Sequence, residues 1–253
     1  MSVIAARRLR TLRPVEQIAY GIGAALMASG VFHFGVFLVL GGSWEGPVSW
    51  RKPTTFGLSF GFTLITVAWI TSYLVMRPRT RAWLLGVFAA DCVLEVAGIT
   101  IQAWRRVPSH FNTETPLDTA VAMSLAFGGL VLVITLGTFT VIALRGRIRG
   151  GSDLRLALQA GVAFLIVGLA AGVEMIAKGT TLYRTGHPQE AYTTAGNFKP
   201  VHFVALHAIF VLPLVAEVTR LLGWDEARRH RTVVVVTGLY LVATLIAVVL
   251  SVV

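Results

Sequence analysis

Hydrophobic residues in this chain come in long, nearly unbroken runs. They show neither the alternation of a half-buried strand nor the single apolar stripe of a soluble helix. A membrane-crossing helix needs about 20 mostly apolar residues, and seven stretches qualify: roughly 17–41, 54–76, 82–104, 119–144, 156–177, 201–222 and 232–253. Each is bounded by Arg, Pro, Gly or acidic clusters. A bilayer admits only helices or closed barrels, and these runs are far longer than barrel strands. The pattern predicts an all-α, polytopic transmembrane bundle of seven helices. Few residues remain outside the spans, so residues 1–253 are read as one membrane domain with no separate soluble catalytic domain.

Composition agrees. The chain is 55% hydrophobic and 13% charged, with a mean hydropathy of +0.75; a soluble domain of this length needs more charge to coat its surface. The basic start "MSVIAARRLRTLRP" resembles a signal peptide. The apolar run from Gln17 to Gly41 is too long for one and ends without a small-x-small cleavage site, so it reads as a retained first span. Cys92 is the single cysteine, which rules out an intrachain disulfide and a thiolate metal cluster.

A formal charge of +10 invites a nucleic-acid reading, but the distribution of basic residues argues for topology. The N-terminal segment carries Arg7, Arg8, Arg10 and Arg13; the second-to-third connection Arg77, Arg79 and Arg81. The fourth-to-fifth carries Arg145, Arg147, Arg149 and Arg155, and the sixth-to-seventh Arg220, Arg228, Arg229 and Arg231, making 15 on one side. The other side has 7: Arg51, Lys52, Arg105, Arg106, Lys178, Arg184 and Lys199. Positive charge is retained in the cytoplasm, so the N-terminus is expected inside and the C-terminus outside, in a plasma (inner) membrane and with no nucleic-acid partner.

The two sides differ in kind. The expected cytoplasmic connections are short and Arg-rich, whereas the outer ones carry aromatics, prolines and amides: "GGSWEGPVSWRKP", "RRVPSHFNTETPLD" and "GTTLYRTGHPQEAYTTAGNFKP". Trp44, Trp50 and Trp104 suit interfacial anchoring. The proline, hydrogen-bonding groups and Phe111 of "VPSHFN" suit an ordered turn, so the segment from Arg105 to Asp118 is expected to fold back onto the helices.

Buried polar groups gather in the outer half. At the helical rise, His207 lies ~10 Å, His33 ~12 Å and Glu95 ~13 Å below the outer ends of their spans. Ser59, Gln102, Glu174 and His202 are shallower. An ionisable group inside a span costs about 2.5–3.5 kcal/mol, so such groups face an interior or a wet cavity. His33, Glu95 and His207 are therefore expected to share one cavity. Each of these groups also has a plain structural reading. A histidine can bond a neighbouring backbone carbonyl, and Glu174 and Lys178, four apart, can pair. Asp91 and Glu95 also share a face, where two negative charges repel. His202 and His207, five apart, point about 140° from one another, so they do not form a one-face zinc clip.

These blocks carry a resemblance. "SWRKPTTFGLS", "EVAGITIQAWRRVPSHFN", "TPLD" and "FKPVHFVALHAIFVLPL" resemble the recurring W-x-K-P, S-H-F-N and H-F-x-x-L-H blocks of an uncharacterised family of seven-span bacterial membrane proteins. The resemblance runs from the first outer loop through the sixth span. It implies the seven-span fold and marks Trp50, Lys52, Pro53, Phe56, Ser59, Glu95, Gln102, Arg105, Ser109, His110, Phe111, Asn112, His202, His207 and Pro213. It implies no reaction. The chain departs at Thr55, where the family often has Lys, and at Arg106, where it often has Gly. A looser likeness is to the alkaline ceramidase and adiponectin-type receptor superfamily, which holds zinc with three His; here the second span has Ser59 without Asp and the last span has no His. That last span also lacks the Lys of a microbial rhodopsin.

Three functions compete. In the first, an outer-leaflet site binds or acts on a lipid-soluble or headgroup-bearing substrate. Glu95, His110 and His202 supply acid–base chemistry, and Lys52, Ser59, Gln102, Arg105 and Asn112 contact the substrate. In the second, His33 and His207 are the axial ligands of a b-type cytochrome passing electrons to a quinone. A small transporter or a receptor is the third. Haem b and zinc are the cofactors in question; a lipid or quinone and the bilayer itself are the expected partners.

Overall fold

The computed structural model describes residues 12–146, 148–193 and 198–252. Arg7, Arg8, Arg10 and Arg147 of the charge pattern, residues 194–197 of the third outer loop and the terminal Val253 lie outside the described residues. Eight helices are described: α1 (Pro14–Leu40), α2 (Arg51–Thr71), α3 (Pro78–Trp104), α4 (Pro116–Arg145), α5 (Ser152–Arg184), α6 (Pro188–Thr193), α7 (Lys199–Leu221) and α8 (Glu226–Val252). All but α6 are long and apolar enough to cross a membrane, and no strand occurs among the described residues. Leu239, Val242, Ile246, Val249 and Leu250 of α8 are exposed, an arrangement that water penalises and lipid does not.

Most helices begin ahead of the apolar runs because their first turns are built from prolines and caps. Pro14, Pro78 and Pro116 open α1, α3 and α4, where a missing N–H costs nothing. The Glu16 carboxylate accepts from the Arg13 backbone N–H at 3.1 Å. At α4, Thr115 Oγ1 accepts the Asp118 N–H at 3.2 Å, capping the helix, and its hydroxyl donates to the Asp118 carboxylate. In contrast, α2 stops at Thr71, short of the expected 76. The buried Arg81 guanidinium donates to the Thr71 carbonyl, satisfying the helix end with a cation. Arg81 also lies 3.7 Å from the buried Glu16 carboxylate, which ties the first turns of α1 and α3 together.

The chain forms two compact units. The first holds α1, α2, α3 and α4 up to Thr135. Its tightest seam joins α1 to α2 through glycines. A Cβ on Gly30 would sit 2.7 Å from the Leu58 backbone nitrogen, and one on Gly61 would sit 2.5 Å from the Gly23 carbonyl oxygen. Helices in lipid gain most of their packing from such backbone-to-backbone approach. The second unit holds Ser72–Met76, the end of α4 from Leu136, and α5 to α8. There Leu74 pairs with Ile148 in an antiparallel bridge. Gly161 and Gly168 of α5 admit the α7 backbone, with a Gly161 Cβ placed 3.0 Å from Ile209 Cα. Arg229 of α8 binds Asp153 of α5 at 2.7 Å.

Candidate functional site

In the first unit, the loop before α2, the start of α2, the last turns of α3 and the α3–α4 loop meet. They close over a narrow crevice with no room for a water molecule. Pro47 and Ser49 come from the first loop, Lys52 from α2, Ile99 and Ala103 from α3, and Val107 and Ser109 from the α3–α4 loop. Ser49 is buried and its Oγ has no hydrogen-bond partner.

The α3–α4 loop folds back onto this end of the unit as its composition predicts. Asn112 is fully buried; its amide donates to the Pro108 carbonyl at 3.3 Å and its Oδ1 accepts from the Glu114 N–H at 3.0 Å. Asn112 thus holds the turn. Arg106 and Phe111 take φ of 57° and 60°, the left-handed region that costs a non-glycine residue about 1–2 kcal/mol. His110 lies half-buried against Phe56, with ring centroids 6.2 Å apart, and its Nδ1 is 2.9 Å from Ser109 Oγ. Burial, followed by the nearby Lys52 charge, lowers the His110 pKa to about 4, so the ring is neutral at physiological pH and its Nε2 or Nδ1 can accept a proton.

Gln102 and Arg105, expected to contact a substrate, both bond Asp118. The Gln102 amide donates to the buried Asp118 carboxylate at 2.9 Å, and the Arg105 guanidinium donates both to that carboxylate and to the Gln102 carbonyl. With Thr115 the four form a closed network that locks the α3–α4 loop. Ser59 is exposed, away from the crevice. Of the other expected site residues, Lys52 shares the crevice with Ser109, whose hydroxyl lies beside His110.

Glu95 has another setting. It and Asp91 are both buried on one face of α3. A Cβ on Gly128 of α4 would lie 2.6 Å from Glu95 Oε1 and 2.8 Å from Asp91 Oδ1, so glycine there makes room for the two carboxylates. Asp91 Oδ2 has no hydrogen-bond partner. No hydrogen bond or ion pair joins Glu95 to His33 or His110 among the described residues. Of the three groups expected to share a cavity, His207 belongs to the other unit, and His33 takes partners other than Glu95.

His33 is buried in a tryptophan cage. Its Nδ1–H donates to the Ser29 carbonyl at 2.7 Å, and its Nε2 accepts from Trp104 Nε1–H at 3.1 Å. Trp50 stacks on it, centroids 6.2 Å apart. Both ring nitrogens are engaged, so serving as an axial ligand would require breaking one bond. In the second unit, His207 Nδ1 bonds the Phe203 carbonyl at 2.6 Å, and His202 Nδ1 bonds the Gly168 carbonyl of α5 at 2.8 Å. Gly172 leaves space for the His202 ring. Both are bonds to backbone carbonyls, that of His207 within its own helix and that of His202 across to α5. Glu174 and Lys178 are exposed and form no ion pair, since an exposed pair gains too little to hold two side chains in place. Among the described residues no three His, Cys, Asp or Glu side chains converge as a metal site.

Ser49 and Asp118 were not singled out from sequence. The T-x-x-D spacing of "TPLD" is a capping-box signal that points to Asp118; nothing in the sequence marks Ser49. No family model, curated protein or solved structure matches the chain.

Proposed function

We propose that this multi-pass protein lies in the inner membrane with its N-terminus in the cytoplasm, and that it binds a lipid-soluble, headgroup-bearing ligand on the surface beside Lys52 and His110. The orientation is supported by the 15-to-7 split of basic residues, which puts the crevice at the extracytoplasmic headgroup level. The observation that carries the reading is the gathering of Lys52, Ser109 and His110 where the α3–α4 loop folds back onto the start of α2. Lys52 holds the polar head, and the neutral His110 accepts a proton from the bound ligand or returns one. Glu95 and Asp91 form a separate, deeper polar element on α3. The resemblance to seven-span bacterial membrane proteins agrees with this reading at Lys52, Ser109 and His110. Native mass spectrometry of the protein extracted from membranes tests it. A small amphipathic ligand is retained by the wild type and lost by both Lys52→Ala and His110→Ala. Equal retention by all three, or none in the wild type, rejects it.

A further inference from the structure

We infer that Asp91 and Glu95 form a proton-binding site within the first unit, two carboxyl groups of α3 that share one hydrogen ion beside Gly128 of α4. The inference stands apart from the headgroup ligand and does not depend on it.

The site lies deep in its helix. Asp91 is the midpoint of α3, which has 27 residues, and lies ~20 Å from either end at the helical rise. Asp91 is 5% exposed and Glu95 4%. Four residues apart, they share one face of α3. Glycine at position 128 lets both come to one place. A Cβ there would lie 2.6 Å from Glu95 Oε1 and 2.8 Å from Asp91 Oδ1. These two oxygens reach the same spot on α4, so a hydrogen ion held by one carboxyl can pass to the other. Asp91 Oδ2, buried, has no hydrogen-bond partner.

No positive side chain offsets the pair. Neither carboxyl forms a salt bridge among the described residues. The charged and titratable side chains of the neighbouring helices are engaged elsewhere or stand at helix ends. In α1, Glu16 pairs with Arg13 and Arg81, His33 bonds Ser29 and Trp104, and Tyr20 is near the start. In α2, Arg51 pairs with Glu45, and Lys52 stands beside it in the first turn. In α4, Asp118 binds Arg105, and Arg145 is the last residue. Cys92 is buried next to Asp91, but a thiol brings no counter-charge. Two negative charges this close in an apolar interior repel each other and lack solvation, and a hydrogen ion relieves both costs. One hydrogen ion leaves the pair with a single negative charge spread over both groups.

A metal ion suits the place less well. Hard cations take about six oxygens, whereas two side chains converge here and no third His, Cys, Asp or Glu joins them among the described residues. Carboxyls that take up and return hydrogen ions inside a span are the working parts of proton relays in membrane proteins. The pair gives the first unit that capacity.

Infrared spectroscopy of the full-length protein in hydrated lipid films reads the hydrogen ion directly. At neutral pH the wild type shows the carbonyl band of a protonated carboxylic acid. The band moves when the film is exchanged into heavy water, since a binding site trades hydrogen ions with its solvent. It is lost in the variant carrying both Asp91→Asn and Glu95→Gln, which keeps the shapes of the two groups but holds no acid. In the wild type, heavy-isotope carbon in the side-chain carboxyls of aspartate or of glutamate shifts the same band, an assignment that needs no variant to fold. Replacing sodium with choline leaves the band unchanged. Absence of an acid band at neutral pH, a band that survives in the double variant, or one that ignores both labels overturns the inference. So does a band that never exchanges in heavy water, which marks a sealed structural acid. A band that vanishes when sodium is added also overturns it, because the place then belongs to a metal ion.

Discussion

Replacing Asp118 with Asn tests whether the closed network at the start of α4 holds the site together. The Asp118 carboxylate accepts from Gln102 Nε2 at 2.9 Å and from Arg105 and Thr115. Its side chain is 3% exposed, so water replaces little of what is lost. A hydrogen bond to a charged group contributes about 1.5–3 kcal/mol, a neutral one about 1 kcal/mol. Asparagine keeps one acceptor oxygen but carries an amide donor in place of the other, next to groups that themselves donate. One bond survives in weaker form, the hydroxyl of Thr115 can turn to accept, and Arg105 loses its counter-charge. The net loss is about 2–3 kcal/mol, or roughly 30- to 150-fold in the folding equilibrium. Titration from mild detergent into sodium dodecyl sulfate, followed by tryptophan fluorescence, reads this loss. Hydrogen exchange reads its location, with faster exchange at 106–115 and unchanged exchange in α5 and α7. A loss under about 0.5 kcal/mol, or protection of the loop equal to wild type, would show that the network is incidental.

Other changes have defined outcomes. Gly61→Ala places a Cβ 2.5 Å from the Gly23 carbonyl oxygen, so α1 and α2 must part; a cost of about 1–3 kcal/mol is expected in the same assay, and a neutral result contradicts the close seam. Arg106→Gly relieves the backbone at φ 57° and should leave stability equal or up to about 1 kcal/mol higher, less than the full relief because glycine frees the unfolded chain. The His110 pKa is lowered from 6.5 to about 4 by burial and by Lys52, so the unfolded chain takes up a proton before the folded one does. The stability due to a neutral His110 is complete above pH 6.5 and is lost as pH falls toward about 4. Unfolding midpoints of wild type and His110→Asn should diverge over that window, and parallel curves would contradict the burial of a neutral ring.

The seven spans were legible because a bilayer requires long apolar runs and little else imitates them. Their ends were less so. Apolarity says nothing of Pro14 or Pro78 opening a helix early, nor of Arg81 reaching back to close α2 at Thr71. The short α6 has no periodicity to reveal it. Site residues were legible as types more than as roles. Lys52 and His110 drew notice as a charge and an imidazole in an outer loop, and Ser109 stands beside both. Gln102 and Arg105 were noticed for the same reason, yet they face Asp118, a partner thirteen residues beyond Arg105 that only the turn of the loop brings near. Shared depth suggested that His33 and Glu95 meet. Depth fixes height along a span, whereas the facing direction depends on packing, which puts His33 among tryptophans and Glu95 opposite Gly128. Ser49 is an ordinary loop serine in sequence; its missing partner is visible only in three dimensions.

The central claim, that a headgroup-bearing ligand binds on the surface beside Lys52 and His110, is tested most directly by photocrosslinking. The protein is reconstituted in vesicles containing a phosphatidic acid with a photoreactive group beside its headgroup, irradiated, and digested for mass spectrometry. The account predicts adducts concentrated in residues 47–52 and 103–110, competed away by unlabelled phosphatidic acid and reduced in Lys52→Gln. Adducts spread evenly over the exposed faces of α1, α4 and α8, with the same pattern in the variant, would contradict it.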